Sequence, residues 1–240
     1  MEIYQTILSA KEKGQKLLAV LIDPEKVALN NLPTFFKKVP QSIASHIFVG
    51  GSTDENHQTE NVVEAIKKLT QLPVIIFPGD ASQISHKADG ILFLSLISGR
   101  NPEYLIEQQI KAAAILKNSD LEILSTAYIL IDGGKNTAVQ KISNTTPIEQ
   151  DQLELIVNTA LAGEFSGKKL IYLEAGSGAT MPVSQKIIKE VARQLKIPLV
   201  IGGGIRSKKQ LDMAYEAGAD MVVIGTAFEN NPSFFDILRK

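Results

Sequence analysis

Residues 171–179 read IYLEAGSGA, and the fold follows from how that stretch is interpreted. Ile171 and Leu173 have the character of core-facing strand residues, Tyr172 and Glu174 fall on the alternate face, and Ala175-Gly176-Ser177-Gly178 is a small-residue turn that admits a close ligand. Two later stretches, IGGGIRS at 201–207 and VVIGTAF at 222–228, repeat the plan of an apolar strand followed by glycine. Three such turns side by side suit one phosphate site, because glycine turns expose backbone N–H groups and each following helix adds its positive N-terminal end.

The same unit extends in both directions. Downstream, helices are expected at 182–195 and 208–217, strands at 198–201 and 221–224, and a short closing helix at 232–238. Upstream, strands are expected at 17–23, 46–49, 73–77, 91–96, 124–131 and 169–174. Helices fall at 27–38, 61–69, 102–117 and 152–162. Only residues 78–90 separate the third and fourth strands, so the third helix is expected to be stunted. Eight apolar strands without polar alternation, interleaved with helical patterns, predict parallel strands covered by helices: one (β/α)8 TIM barrel domain over 1–240. LIDPEK after strand 1 and LIDGGK after strand 5 form a weak echo half a barrel apart. The polar stretch 135–150 reads as a long loop, either functional or disordered.

Composition narrows the function classes. A formal net charge of -1 provides no field to draw in nucleic acid or an anionic membrane, so a polyanionic ligand has to be held locally. The absence of cysteine removes disulfide scaffolds, thiolate zinc sites and cysteine nucleophiles, and fits a reducing compartment. Residues 1–16 read as a short amphipathic helix rather than a secretory signal, and no apolar run approaches the ~20 residues of a membrane span. The expectation is a cytoplasmic protein with no transmembrane segment and no nucleic-acid partner.

In barrels of this type the chemistry sits at the C-terminal strand ends, where Asp23, Ser52, Glu174, Gly203 and Gly225 fall. Glycines 202–204 and Gly225 serve either as tight turns or as a dianion cradle. Asp23 serves either as a helix cap or, with Ser52 and substrate oxygens, as part of a magnesium site. Glu174, a carboxylate among small residues, is a candidate general base or hydroxyl acceptor. Tyr172 is either a barrel-lining aromatic or its companion, and Arg206 either solvates its helix or adds charge to the anion site. His46, His57 and His86 share no ligand spacing and are assigned no role.

Taken in order, LIDPEK, FVGGST, YLEAGSGA, IGGGIRS and ADMVVIGTAFE resemble the geranylgeranylglyceryl phosphate synthase family, prenyltransferases that form the first ether bond of archaeal-type lipids. The likeness runs from about residue 17 to 229. The glycine loops alone are shared by many phosphate-binding barrels, whereas their combination with LIDPEK and YLEAGSGA is specific. The resemblance implies transfer of a geranylgeranyl group from its diphosphate to the 3-hydroxyl of sn-glycerol 1-phosphate, with release of pyrophosphate. It implies magnesium (Mg2+) on Asp23 and Ser52. It also implies glycerol phosphate held by Tyr172, Leu173, Glu174, Ala175, Gly176, Ser177, Gly178, Gly203, Gly204, Gly225 and Thr226, with Glu174 and Tyr172 catalytic. A homo-oligomer is implied, either dimer-based or a hexamer. Part of the family has a lysine where this chain has Leu21, so diphosphate charge is expected to be met by Lys26 or by residues of the 135–150 loop. The rival readings are a flavin-binding or sugar-phosphate-converting barrel enzyme and a non-catalytic phosphate-ligand sensor.

Overall fold

The computed structural model describes residues 2–230 and 232–238. Eight parallel strands close into a barrel in sequence order: β1 (Leu17–Ile22), β2 (Ala44–Val49), β3 (Val74–Ile76), β4 (Gly90–Leu96), β5 (Glu122–Leu130), β6 (Leu170–Glu174), β7 (Leu199–Gly202) and β8 (Met221–Ile224), with β8 pairing back onto β1. The fold is the expected TIM barrel, and alternation along each strand divides its core in two. Leu18, Val20, Ile47, Ile171 and Leu173 face outward into the helical layer, whereas Phe48, Tyr128, Leu130, Tyr172 and Val223 fill the interior.

Before the barrel lies α1 (Ile3–Glu12), the amphipathic N-terminal helix read from sequence. Its buried residues Ile3, Ile7 and Ala10 join Leu17, Leu124, Leu170 and Met221 of the interior cluster and so close the N-terminal end of the barrel. The Glu122 carboxylate at the start of β5 accepts the free N–H groups of Ile3 and Tyr4, the latter at 2.7 Å, which anchors the first turn of the helix.

The jacket departs from a regular set of helices in ways that expose the site. Where one helix over 27–38 was expected, the chain makes a 3-10 turn at Leu29–Asn31, a five-residue α2 (Leu32–Phe36) and a second 3-10 turn at Val39–Gln41. Pro33 and Pro40 account for this, since proline starts a helical turn readily but cannot continue one. The C-terminal 3-10 segment Pro232–Leu238 covers the resulting gap, stacking Phe235 on Phe228 at 4.2 Å and edge-on to Phe35 at 5.0 Å. After α3 (Thr59–Lys67) and β3, only the 3-10 turn Ala81–Gln83 precedes β4, so the third helix is reduced to a single turn, stunted as the short spacing implied.

The helix expected over 102–117 begins as a π-helix, Glu103–Glu107, and continues as α4 (Gln108–Leu116). The 135–150 loop contains α5 (Ala138–Ser143), opened by a capping box between Thr137 and Gln140 and ended by Asn144 in the left-handed conformation. The remaining helices are α6 (Leu153–Phe165), α7 (Gln185–Gln194), α8 (Lys208–Glu216) and the short α9 (Thr226–Asn230). Among the described residues no helix is long and apolar enough to cross a membrane.

Candidate active site

The C-terminal strand ends surround a cleft of about 530 Å3. Asp23, Ser52, Tyr172, Glu174, Ser177, Gly178, Gly203, Gly204, Gly225 and Thr226 all line it, so positions spread over two hundred residues of sequence meet in one place. Three positions from the same stretch do not line it. Leu173 and Ala175 are buried in the outer core, and Gly176 donates its backbone N–H inside the turn.

Strand register builds the centre. β5 sets Tyr128 beside Tyr172 and Leu130 beside Glu174, while β7 sets Gly202 beside Glu174. Gly202 and Gly203 also have a task that sequence does not show. A Cβ on Gly202 would lie 2.3 Å from the Tyr172 hydroxyl and 2.4 Å from Glu174 Oε2, and one on Gly203 would lie 2.5 Å from Glu174 Oε1. The glycine run of β7 is therefore the wall against which the carboxylate and the phenol rest.

Glu174 is 6% exposed, and burial pushes its carboxyl pKa up to about 7. The Gly176 N–H, 2.6 Å from Oε1, and the neighbouring Tyr172 phenol pull it part of the way back down. The Tyr172 hydroxyl lies near the carboxylate, and its buried Oη makes no hydrogen bond. A donor left unpaired at the base of a cleft is costly unless a ligand meets it. Burial, then the charge of Glu174, also raises the pKa of Tyr172 and of Tyr128, so both phenols stay protonated at neutral pH.

Phe77, Tyr128 and Tyr172 pack as an aromatic trio with ring centroids 5.3 to 5.8 Å apart. Sequence reading singled out Tyr172 alone, because Phe77 and Tyr128 look like ordinary strand residues until the barrel closes. From the trio an apolar arm of the cleft runs along β4. Leu94, Leu96, Tyr104 and Val139 line its inner part, and Ile84, Ile91, Phe93 and Ala112 carry it into the outer layer, where the third helix is reduced to a single turn.

The polar rim is held by cross-loop bonds. Ser177 Oγ lies 3.4 Å from Thr226 Oγ1, joining the turn after β6 to the start of α9. Arg206 donates to the carbonyls of Gly178 at 3.0 Å and Ala179 at 2.6 Å, so it braces that turn. Asp23 Oδ2 pairs with Lys26 Nζ at 2.6 Å, and Oδ1 accepts the Glu25 N–H at 3.1 Å. Lys26, Lys135 and Lys141 line the cleft as cations. His46 is buried away from the cleft, its pKa lowered to about 4 by burial, while His57 and His86 are exposed.

Comparison with known proteins agrees with the barrel fold. A model of the PcrB family matches residues 10–239. The geranylgeranylglyceryl phosphate synthase of Zunongwangia profunda is 61% identical over 229 residues, covering 95% of this chain and 97% of that protein. The enzyme of the same description from Pyrococcus abyssi is 39% identical over 230 residues, covering 95% and 90%. The crystal structure of (S)-3-O-geranylgeranylglyceryl phosphate synthase from Thermoplasma acidophilum, in complex with its substrate sn-glycerol-1-phosphate, superposes with a TM-score of 0.93 at 34% identity, covering 99% of this chain and 96% of that one. A tryptophan synthase α-subunit from Pyrococcus furiosus, at 12% identity and a TM-score of 0.56, shares the barrel alone. Matched along nearly its whole length by one family model and by relatives with the same barrel, this chain belongs to the PcrB family.

Proposed function

We propose that this protein transfers a geranylgeranyl group from its diphosphate to the 3-hydroxyl of sn-glycerol 1-phosphate, giving geranylgeranylglyceryl phosphate and pyrophosphate. The observation that carries the reading is a buried carboxyl with its pKa lifted to about 7, set between a glycine cradle and an apolar arm. A base poised near neutrality is suited to removing a hydroxyl proton at the moment of bond formation. The allylic C–O bond breaks and pyrophosphate leaves with the electron pair. The glycerol oxygen bonds to the allylic carbon, and its proton passes to Glu174. Tyr172, with its unpartnered hydroxyl, orients the glycerol, and the turns at Ser177–Gly178, Gly203–Gly204 and Gly225–Thr226 bind the phosphate.

The donor set fits magnesium of the kind that takes one or two carboxylates and fills its shell with substrate oxygens and water. Among the described residues no three His, Cys, Asp or Glu side chains gather into an all-protein cage. Asp23 faces the cleft beside Gly51, where a Cβ would come within 3.0 Å of Oδ1, and Ser52 lies next along the chain. Asp23 and Ser52 would hold the ion, whose charge would stabilise the departing diphosphate.

Residues 1–240 act as a single catalytic domain in the cytoplasm. The chain works as a homo-oligomer, dimer-based or hexameric, a reading supported by Ile106, Ile110, Leu155 and Phe165. These are large apolar side chains exposed on the neighbouring 103–116 and α6 segments of the jacket. The test of function is mass spectrometry of the products after incubation with sn-glycerol 1-phosphate, magnesium and prenyl diphosphates of several lengths. The expected product is the C20 ether, lost on chelation of magnesium. Absence of any prenyl ether from the wild-type protein would overturn the proposal.

A further inference from the structure

The sequence LID, followed three residues after the aspartate by lysine, occurs twice, as LIDPEK at 21–26 and LIDGGK at 130–135. The copies stand at the ends of β1 and β5, on opposite sides of the mouth, and they end differently. Lys26 turns back on its own aspartate, with Nζ 2.6 Å from Asp23 Oδ2. In the second copy Asp132 Oδ1 accepts the Gly134 N–H at 3.3 Å, and Lys135 reaches over the cleft instead. Its Nζ lies 3.8 Å from the point a Cβ on Gly178 would occupy, and no other atom outside the chain neighbours comes within 4 Å of that point. Among the described residues Lys135 makes no hydrogen bond or ion pair.

The backbone fixes where the exposed Lys135 side chain leaves the loop. The Gly133 carbonyl accepts from the N–H groups of Thr180 at 2.9 Å and Met181 at 3.1 Å and from the Thr180 hydroxyl at 2.8 Å. A side chain on Gly133 would drive its Cβ to 2.3 Å from the Ala175 carbonyl oxygen, so only glycine allows the two loops to meet. A lysine meant only for solvent needs no such clamp. The turn beneath it is the one whose Ser177 reaches Thr226 across the cradle, whereas Asp23 and Lys26 lie on the far side of the mouth.

We propose that Lys135 is a specificity-determining residue of the glycerol phosphate site, its ammonium pairing with the substrate's phosphate group against the Ser177–Gly178 turn. The identity of that substrate rests on the function proposed above. Loss of one charge-assisted contact to phosphate costs roughly tenfold or more in affinity.

The test uses the full-length Lys135→Gln and Lys135→Arg proteins. Calorimetric titration with inorganic phosphate should show binding about tenfold weaker in Lys135→Gln and largely restored in Lys135→Arg. In steady-state assays the KM for sn-glycerol 1-phosphate should rise by a similar factor in Lys135→Gln, with the KM for prenyl diphosphate unchanged. Unaltered phosphate affinity in Lys135→Gln overturns the assignment, and so does a rise confined to the prenyl diphosphate KM, which would put the ammonium on the leaving group. The phosphate titration needs no prenyl transfer. Lys135-dependent phosphate binding in a protein that forms no ether would refute the proposed function and leave this assignment standing.

Discussion

Glu174 shows how one residue sets stability against reactivity. Its folded pKa of about 7 lies above the ordinary value of 4.5, so between those pH values the folded protein holds a proton that the unfolded chain has released. The associated stability is fully present below pH 4.5 and is lost as pH rises through 7, a difference of roughly 3 kcal/mol for a shift of this size. Glu174→Gln keeps an acceptor for the Gly176 N–H and removes the buried charge. The variant should melt at a higher temperature than the wild type at pH 8, match it at pH 4.5, and lose most ether formation. Equal melting temperatures at pH 8 would show that the buried carboxylate carries no such cost. The glutamate itself is legible in the sequence, because a carboxylate at a strand end among small residues is neither core nor cap. Its wall is not. Nothing local to IGGGIRS says that Gly202 must make room for a carboxylate and a phenol from the neighbouring strand, since that contact depends on the register between β6 and β7.

At the scale of elements, spacing carried more information than composition. Thirteen residues between the third and fourth strands leave room for a helical turn or two at most, and the structure has a single 3-10 turn there. The apolar arm of the cleft uses that gap, reaching Ala112 on α4 between Ile84 and Ile91. Ala112→Phe places a ring in the arm without touching the cradle. The variant should therefore shift product lengths toward shorter prenyl groups while leaving the KM for glycerol phosphate unchanged. An unaltered length distribution in competition assays would mean that the tail does not run past α4. Two elements were misread for definable reasons. Residues 27–38 have helical spacing, but Pro33 and Pro40 punctuate the stretch, and its apolar face is met by phenylalanines from the far end of the chain. Residues 135–150 look like a polar loop because α5 is short, although Thr137 and Gln140 spell its capping box.

At the scale of the whole molecule, the jacket is uneven. It is thin on the β3 side, and α4 and α6 together expose Ile110, Ile115, Leu155 and Phe165, so an apolar face lies next to the thin flank. Light scattering coupled to size exclusion should give a mass at least twice the 26.1 kDa of the chain. Charged replacements at Ile110 and Phe165 should reduce it toward the monomer, and a wild-type mass of one chain would rule out the assembly. Overall architecture was the easiest level to read, since eight apolar strands alternating with helices have few ways to close. Which helix faces stay uncovered could not be read, because a jacket residue and an interface residue have the same spacing along a helix.

The stopper formed by α1 has a further consequence. With Ile3, Ile7 and Ala10 sealing one end, the molecule is a vessel with a single rim, which has to serve two kinds of traffic. Under the proposed function, the water-borne species, glycerol phosphate inward and pyrophosphate outward, would pass over the loops that carry Lys26, Lys135 and Lys141. The prenyl chain would enter through the thinly covered gap between β3 and β4, where the apolar arm of the cleft opens. On that reading, the two kinds of substrate would be sorted sideways around one rim rather than from one end of the barrel to the other.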